Sequence, residues 1–129
     1  MISIDSWWDS RTRNRFEAIL ELVMDAVADD YERLEMIMAT INESYPVDPA
    51  LKGWEALKAA PVSRHEGVQA LRELTGEGYA QAYVYDAAEN RFRAVGFGKE
   101  QINDLWFYAT PKGLNAVKQF PPQLNESYQ

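Results

Sequence analysis

The spacing of apolar residues changes near residue 76, and this change divides the chain into a helical part and a part that contains strands. Upstream, apolar residues recur every three or four positions, which is the spacing of one buried face of an α-helix. Downstream, residues 79–85 are rich in aromatic and β-branched side chains, which is typical of a strand. Gly76 and Gly78 lie at the boundary, where glycine commonly terminates a helix. The sequence therefore predicts an α+β fold that is mainly α-helical.

The upstream part is predicted to contain a succession of helices. They cover residues 9–28, about 29–44, 49–60 and 63–75. The first two are either one long helix or two helices with a bend near Ala28. Asp48 and Pro49 form a cap followed by proline at the first helical position. Ser63 and Glu66 have the spacing of a capping box, so another helix is expected to begin there.

The downstream part is predicted to form a β-hairpin, a further strand and a short helix. The strands are residues 79–85, 91–95 and 105–109, and the helix covers 110–120. We expect one domain over residues 1–129, with an N-terminal helical extension at 9–28, a core at 29–120 and a tail at 121–129. One small hydrophobic core is expected to form from Tyr31, Leu34, Ile37, Ile41, Leu71, Leu74, Tyr79 and the strand around Trp106.

Composition excludes several classes of protein. The chain has no cysteine, which rules out disulfides, thiolate zinc sites and a cysteine nucleophile. Twenty acidic residues against 13 basic ones give a net charge of −7, which opposes sequence-independent binding to phosphate backbones. No apolar run is long enough to span a membrane, and the first residues do not resemble a signal peptide. We therefore expect a cytoplasmic protein without membrane contact.

Two segments resemble parts of winged helix-turn-helix regulators of the MarR and PadR type. Residues 63–74, followed by Gly78 and Tyr79, resemble a recognition helix that runs into the first strand of the wing. Residues 107–113, which include a threonine-proline-lysine-glycine run, resemble the segment that ends the wing. The resemblance covers roughly residues 31–120.

The resemblance implies a winged helix with a wing at about residues 86–104 and an added N-terminal helix. In such families an added helix often supports dimerisation. A helix that only covers the back of a monomeric domain is an equally open alternative.

If the domain binds DNA, the exposed face of the helix at 63–75 is expected to enter the major groove, and bases in the wing are expected to contact phosphates. The candidate residues are Arg64, His65, Gln69 and Arg72 on the helix and Arg91, Arg93 and Lys99 in the wing. Arginine can bind guanine through two hydrogen bonds, and glutamine can bind adenine in the same way. Glu66 and Glu73 lie in the same region and would repel phosphate. The alternative is that the candidates are ordinary solvated residues.

No constellation of residues indicates catalysis. His65 is the single histidine, and no nucleophile motif accompanies it. The acidic residues near Asp29 lack the pattern of a calcium loop, and Gly96-Phe97-Gly98 is only a fragment of a dinucleotide-binding loop. We therefore expect neither a metal nor a cofactor, and no enzymatic activity.

Two groups of aromatic residues allow more than one interpretation. Tyr79, Tyr83 and Tyr85 could stack nucleic-acid bases, but we expect a sheet face packed on the helices. Trp7 and Trp8 either pack on the core or contact a partner. The first functional hypothesis is a double-stranded DNA-binding protein, such as a transcriptional regulator. The alternative is a non-catalytic module that binds a protein through its acidic N-terminal helices and the paired tryptophans.

Overall fold

The computed structural model describes residues 15–43, 61–98 and 101–119. Its elements, in chain order, are α1 (Arg15–Ala26), β1 (Glu32–Arg33), α2 (Leu34–Glu43), α3 (Arg64–Gly76), β2 (Ala80–Asp86), β3 (Arg91–Val95), a short 3-10 helix (Ile102–Asp104), β4 (Trp106–Ala109) and α4 (Pro111–Val117). The predicted α+β class is confirmed. The predicted helix at 49–60, the tail at 121–129, Trp7, Trp8 and Lys99 lie outside the described residues.

The first two helices are separate, which decides between the alternatives that the sequence left open. α1 ends at Ala26, and α2 begins at Leu34 rather than near residue 29. The strand β1 lies between them and pairs with β4, so that Glu32 is opposite Phe107 and Arg33 is opposite Trp106. A two-residue strand is too short to have a periodic pattern of its own, so no spacing of apolar residues distinguishes it from the helices on either side.

The four strands form one antiparallel sheet in the order β1-β4-β2-β3. Ala82 is paired with Phe107 on one side and with Val95 on the other. Ala80, Ala82, Phe107 and Ala109 are buried in the core with residues of the helices. Because side chains alternate between the faces of a strand, these positions define the face of the sheet that packs on the helices.

Most of the predicted core is confirmed. Leu34, Ile37, Ile41, Leu71, Leu74 and Tyr79 are all buried. The strand around Trp106 also contributes to the core through the buried Leu105, Phe107 and Ala109, whereas Tyr31 and Trp106 itself are only half-buried. Arg33 and Trp106 alternate with Glu32 and Phe107, which places Trp106 on the face of the sheet away from the helices.

The capping box at the start of α3 is present in full. Ser63 Oγ accepts a hydrogen bond from the Glu66 N–H at 3.2 Å, and Glu66 Oε1 accepts one from the Ser63 N–H at 3.0 Å. At the other end, Gly78 has a φ of 82°, a conformation that residues with a Cβ rarely adopt. The Tyr79 N–H then returns to the Leu74 carbonyl at 2.8 Å, so the chain turns directly from α3 into β2.

Within the described ranges, none of the helices combines the length and the apolarity that crossing a bilayer requires.

Candidate nucleic-acid interface

The helix α3 presents a stripe of polar side chains to solvent. His65, Gln69 and Arg72 are all exposed, and at about 100° per residue they lie within an arc of about 60° around the helix. The buried side chains Ala70, Leu71 and Leu74 occupy the opposite side. The three candidates therefore share the face that a major groove would contact.

The charges on α3 are separated around its axis. Taking His65 as the origin, Arg64 lies about 100° to one side, whereas Glu66 and Glu73 lie about 80–100° to the other. Arg72 lies on the same side as Arg64. One edge of the exposed stripe is therefore basic and the other is acidic.

Glu66, on the acidic edge, is paired with an arginine of α1. Arg15 Nε donates to Glu66 Oε2 at 2.6 Å, and Arg15 Nη2 donates to Oε1 at 3.0 Å. The same Nη2 also donates to the Pro61 carbonyl at 3.1 Å. The hydrogen bonds from Arg15, together with those from Ser63, lower the pKa of the Glu66 carboxyl from 4.5 to about 2. The negative charge of Glu66 is therefore balanced locally, so its expected repulsion of phosphate is reduced.

Arg64, on the basic edge, is hydrogen-bonded to the segment that precedes β4. Its Nη2 donates to the Asn103 side-chain oxygen at 2.9 Å. Arg33 Nη2 donates to the carbonyl of the same asparagine at 2.8 Å. Arg64 remains exposed, but part of its hydrogen-bonding capacity is used to hold this segment beside α3.

A groove of about 360 Å³ separates α3 from the sheet. Arg72, Thr75 and Gly76 form its helical wall, and the other lining residues are Ala80, Gln81, Ala82, Val95, Gly96 and Phe97. The Arg72 guanidinium lies 4.5 Å from the centroid of the Phe97 ring. Phe97 in turn contacts the buried Phe107, with centroids 5.5 Å apart. This cation–π contact holds the Arg72 guanidinium at the groove.

The hairpin arginines lie on the same face of the sheet as this groove. Arg93 is paired with Val84 and Arg91 with Asp86, at positions that alternate with Phe92. Both arginines are exposed. By the alternation of the strand, they share the face of Ala82, which packs on the helices. The two hairpin arginines and the groove beside Arg72 are therefore on the same face of the sheet.

The two segments that resemble winged-helix regulators contact each other. Thr110 Oγ1 donates to the Gly78 carbonyl at 2.6 Å and accepts from the Gly113 N–H at 3.1 Å, and the Thr110 N–H donates to the Tyr79 carbonyl at 3.0 Å. Lys112 Nζ donates to the Glu77 carbonyl at 2.9 Å and lies 4.4 Å from the Tyr79 ring centroid. These contacts fasten α4 to the turn between α3 and β2, so the motif residues have a structural role.

Gly113 allows this junction to form. A Cβ at this position would overlap the Tyr79 carbonyl oxygen and would lie 2.9 Å from Met24 Cε. The backbone of α4 and the backbone that enters β2 can therefore approach this closely only with glycine at residue 113.

The face of the sheet away from the helices carries a cluster of aromatic rings that sequence analysis missed. The rings belong to Tyr31, Tyr83, Tyr85, Phe92, Trp106 and Tyr108, and these six residues define the aromatic face. The expectation that Tyr83 and Tyr85 pack on the helices is wrong, because both alternate with the buried Ala82 and contact Phe92 instead. Of the three tyrosines that were expected to pack on the helices, Tyr79 alone is buried in the core.

Several acidic residues lie from the end of α1 to β1. Burial raises the pKa of Asp25, and Asp29 raises it further. Burial also raises the pKa of Glu32, with smaller contributions from Asp30 and Asp29. Among the residues that the structure describes, no group of three or more His, Cys, Asp or Glu side chains could hold a metal ion.

Comparison of the chain with protein-family models, with curated proteins and with solved structures finds no match. The resemblance to MarR and PadR regulators therefore depends on the motif residues alone.

Proposed function

We propose that this chain is a non-catalytic, cytoplasmic protein of winged-helix architecture that binds double-stranded DNA, as a transcriptional regulator does. In this proposal α3 enters the major groove, and the hairpin formed by β2 and β3 lies beside it as the wing. The observation that carries the proposal is that Arg72 of the exposed stripe lines the groove between α3 and the sheet, and that Arg91 and Arg93 share the sheet face that lines this groove.

The order of the elements supports a winged helix. A strand, β1, precedes α2 and pairs with the last strand, β4, while β2 follows α3 directly. The strands β2 and β3 pair through a short turn at residues 87–90, and this end of the hairpin extends beyond β4, which pairs only with residues 80–83 of β2. A projecting hairpin that follows the recognition helix is the arrangement from which the winged helix takes its name.

The side chains divide into two chemical roles. Gln69 and Arg72 have the donors and acceptors that read adenine and guanine in the major groove, and His65 adds a further polar group on the same stripe. Arg91 and Arg93 on the hairpin would contact phosphates, which positions the protein without reading sequence. The Arg72 guanidinium lies over the Phe97 ring, at the groove between α3 and the sheet.

The direct test is fluorescence anisotropy with a labelled duplex that is the tightest binder selected from a random-sequence library. We expect Arg72→Ala to weaken binding to this duplex about fivefold or more, since an arginine that binds a base contributes about 1–3 kcal/mol. The matched control is Lys118→Ala, which removes an exposed positive charge just after α4. Equal losses in the two variants, or no binding by the unmodified protein, would contradict the proposal.

Protein binding is the second candidate function, and the aromatic face favours it. Tyr85 on this face is 45% exposed, and exposed tyrosines are enriched at protein interfaces. Arg91 and Arg93 lie on the opposite face of the sheet, so the two functions do not compete for the same residues.

A further inference from the structure

We propose that the aromatic face binds an extended peptide segment rich in arginine or lysine, whose cationic side chains lie over the rings. This inference goes beyond DNA binding, because it concerns the opposite face of the sheet and does not depend on α3.

The rings form one continuous surface rather than isolated contacts. Tyr31 is stacked on Phe92, with centroids 3.9 Å apart and planes inclined by 6°. Tyr83 and Tyr108 contact Tyr31 at 5.0 and 4.9 Å, and Trp106 contacts Phe92 at 5.2 Å. The ring cluster therefore extends across β4, β2 and β3. Tyr85 is exposed, and the other five rings are half-buried.

The protein already places one guanidinium on this surface. The Arg33 guanidinium carbon lies 5.6 Å from the centroid of the Trp106 ring. The negative face of an aromatic ring attracts a cation placed over it, and arginine makes such contacts most often. Arg33 thus shows, within the chain, the interaction that a basic peptide would repeat over the neighbouring rings.

The charges around the aromatic face select a cationic partner. Asp29 and Asp30 are exposed beside Tyr31, whose N–H donates to Asp30 Oδ1 at 2.7 Å. Glu89 is exposed in the turn that precedes Asn90, the hydrogen-bond partner of the Tyr85 hydroxyl.

The basic residues of the hairpin do not offset these acids on the aromatic face. Arg91 and Arg93 alternate with Phe92 and therefore lie on the other face of the sheet. Burial raises the pKa of Tyr83 above its usual value, and the neighbouring phenols of Tyr31 and Tyr108 raise it further. An acidic margin repels a phosphate backbone and attracts a basic peptide, so it favours the peptide over single-stranded nucleic acid.

The test uses fluorescein-labelled hexa-arginine, with anisotropy measured on the full chain at 150 mM salt. We expect Tyr85→Leu to weaken binding about two- to fivefold, because it removes an exposed ring that a cation would contact. Tyr85→Phe keeps the ring and removes the hydroxyl bound to Asn90, so it should bind as the unmodified protein does.

The contribution of the acids is tested separately. We expect the double variant Asp29→Asn/Asp30→Asn to weaken hexa-arginine binding by at least threefold. The matched control is Glu73→Gln/Glu77→Gln, which removes two exposed negative charges near the end of α3. Circular dichroism of each variant identifies any loss of folding.

Four results would overturn the inference. The first is no binding of hexa-arginine, and the second is an equal loss in the glutamate and the aspartate double variants. The third is that labelled oligo(dT), without the peptide, binds the protein and that Tyr85→Leu weakens this binding. The fourth is that Tyr85→Leu converts a dimer to a monomer in sedimentation without changing peptide affinity. Failure of the DNA experiment would leave the peptide result unaffected, since none of these variants changes Arg72, Arg91 or Arg93.

Discussion

The substitution Gly113→Ala tests the junction between α4 and the turn that leads into β2. The added methyl would overlap the Tyr79 carbonyl oxygen, and that oxygen already accepts the Thr110 N–H at 3.0 Å. The backbone at Tyr79 cannot retreat without losing this hydrogen bond. The nearby Met24 is completely buried, so its terminal methyl, 2.9 Å away, has little room to move.

The size of the effect follows from two opposing contributions. Overpacking in a well-packed core costs about 1–3 kcal/mol, and a clash with backbone belongs at the upper end of this range. Replacing glycine by alanine within a helix stabilises the folded state by up to about 1 kcal/mol. We therefore expect Gly113→Ala to lower the free energy of unfolding by about 2 kcal/mol.

The matched control is Gly76→Ala at the end of α3. No atom lies within 4 Å of a Cβ added there, and Gly76 is helical. This variant should be neutral or more stable by up to about 1 kcal/mol. Urea unfolding followed by circular dichroism measures both variants. A change below about 0.5 kcal/mol in Gly113→Ala, or equal destabilisation in the control, would refute the packing argument.

Three further substitutions test the remaining contacts. Glu66→Gln keeps the cap but removes the charge paired with Arg15, so we expect it to lower the free energy of unfolding by about 1–2 kcal/mol after allowance for exposure. This loss should be complete above pH 4.5 and should vanish as the pH falls towards 2, as measured by urea unfolding at several pH values. The sign follows because folding lowers the pKa of Glu66, which means that the folded state stabilises the carboxylate relative to the carboxylic acid. Phe107→Ala should cost about 3–5 kcal/mol by the same measurement, because the ring is completely buried. Thr110→Val should cost about 1–3 kcal/mol, because it leaves the Gly113 N–H and the Gly78 carbonyl without this partner; a cost near zero would show that water replaces the hydroxyl.

Features set by short stretches of sequence could be predicted. The capping box of Ser63 and Glu66 is local, and the structure contains both of its hydrogen bonds. The strands β2, β3 and β4 follow from aromatic and β-branched runs of sufficient length, and their predicted bounds differ from the observed ones by about one residue.

Features set by strand pairing could not be predicted. β1 exists because Glu32 and Arg33 pair with β4, far away in the sequence. The apolar residues of β2 alternate as alanine or valine with tyrosine, so both faces of the strand look apolar in the sequence. Which face contacts the helices depends on the position of β2 within the sheet, and for this reason Tyr83 and Tyr85 were placed on the wrong side.

The candidate site shows the same division. The exposure of His65, Gln69 and Arg72 follows from helical spacing within α3. The contact between Arg64 and Asn103 joins residues far apart in the sequence, and no local pattern signals it. The same holds for the pair formed by Arg15 and Glu66, although a basic residue in the first turn of a helix, where the dipole is unfavourable, hints at a partner elsewhere.

The most direct test of the proposed DNA interface is the salt dependence of duplex binding by the unmodified protein and by Arg91→Ala/Arg93→Ala. Each phosphate contact contributes about −0.9 to the slope of log K against log salt concentration. If both hairpin arginines bind phosphates, the double variant should reduce the magnitude of the slope by about 2, whereas Lys118→Ala should leave it unchanged. An unchanged slope in the double variant, or no binding by the unmodified protein at low salt, would contradict the assignment of this surface to DNA.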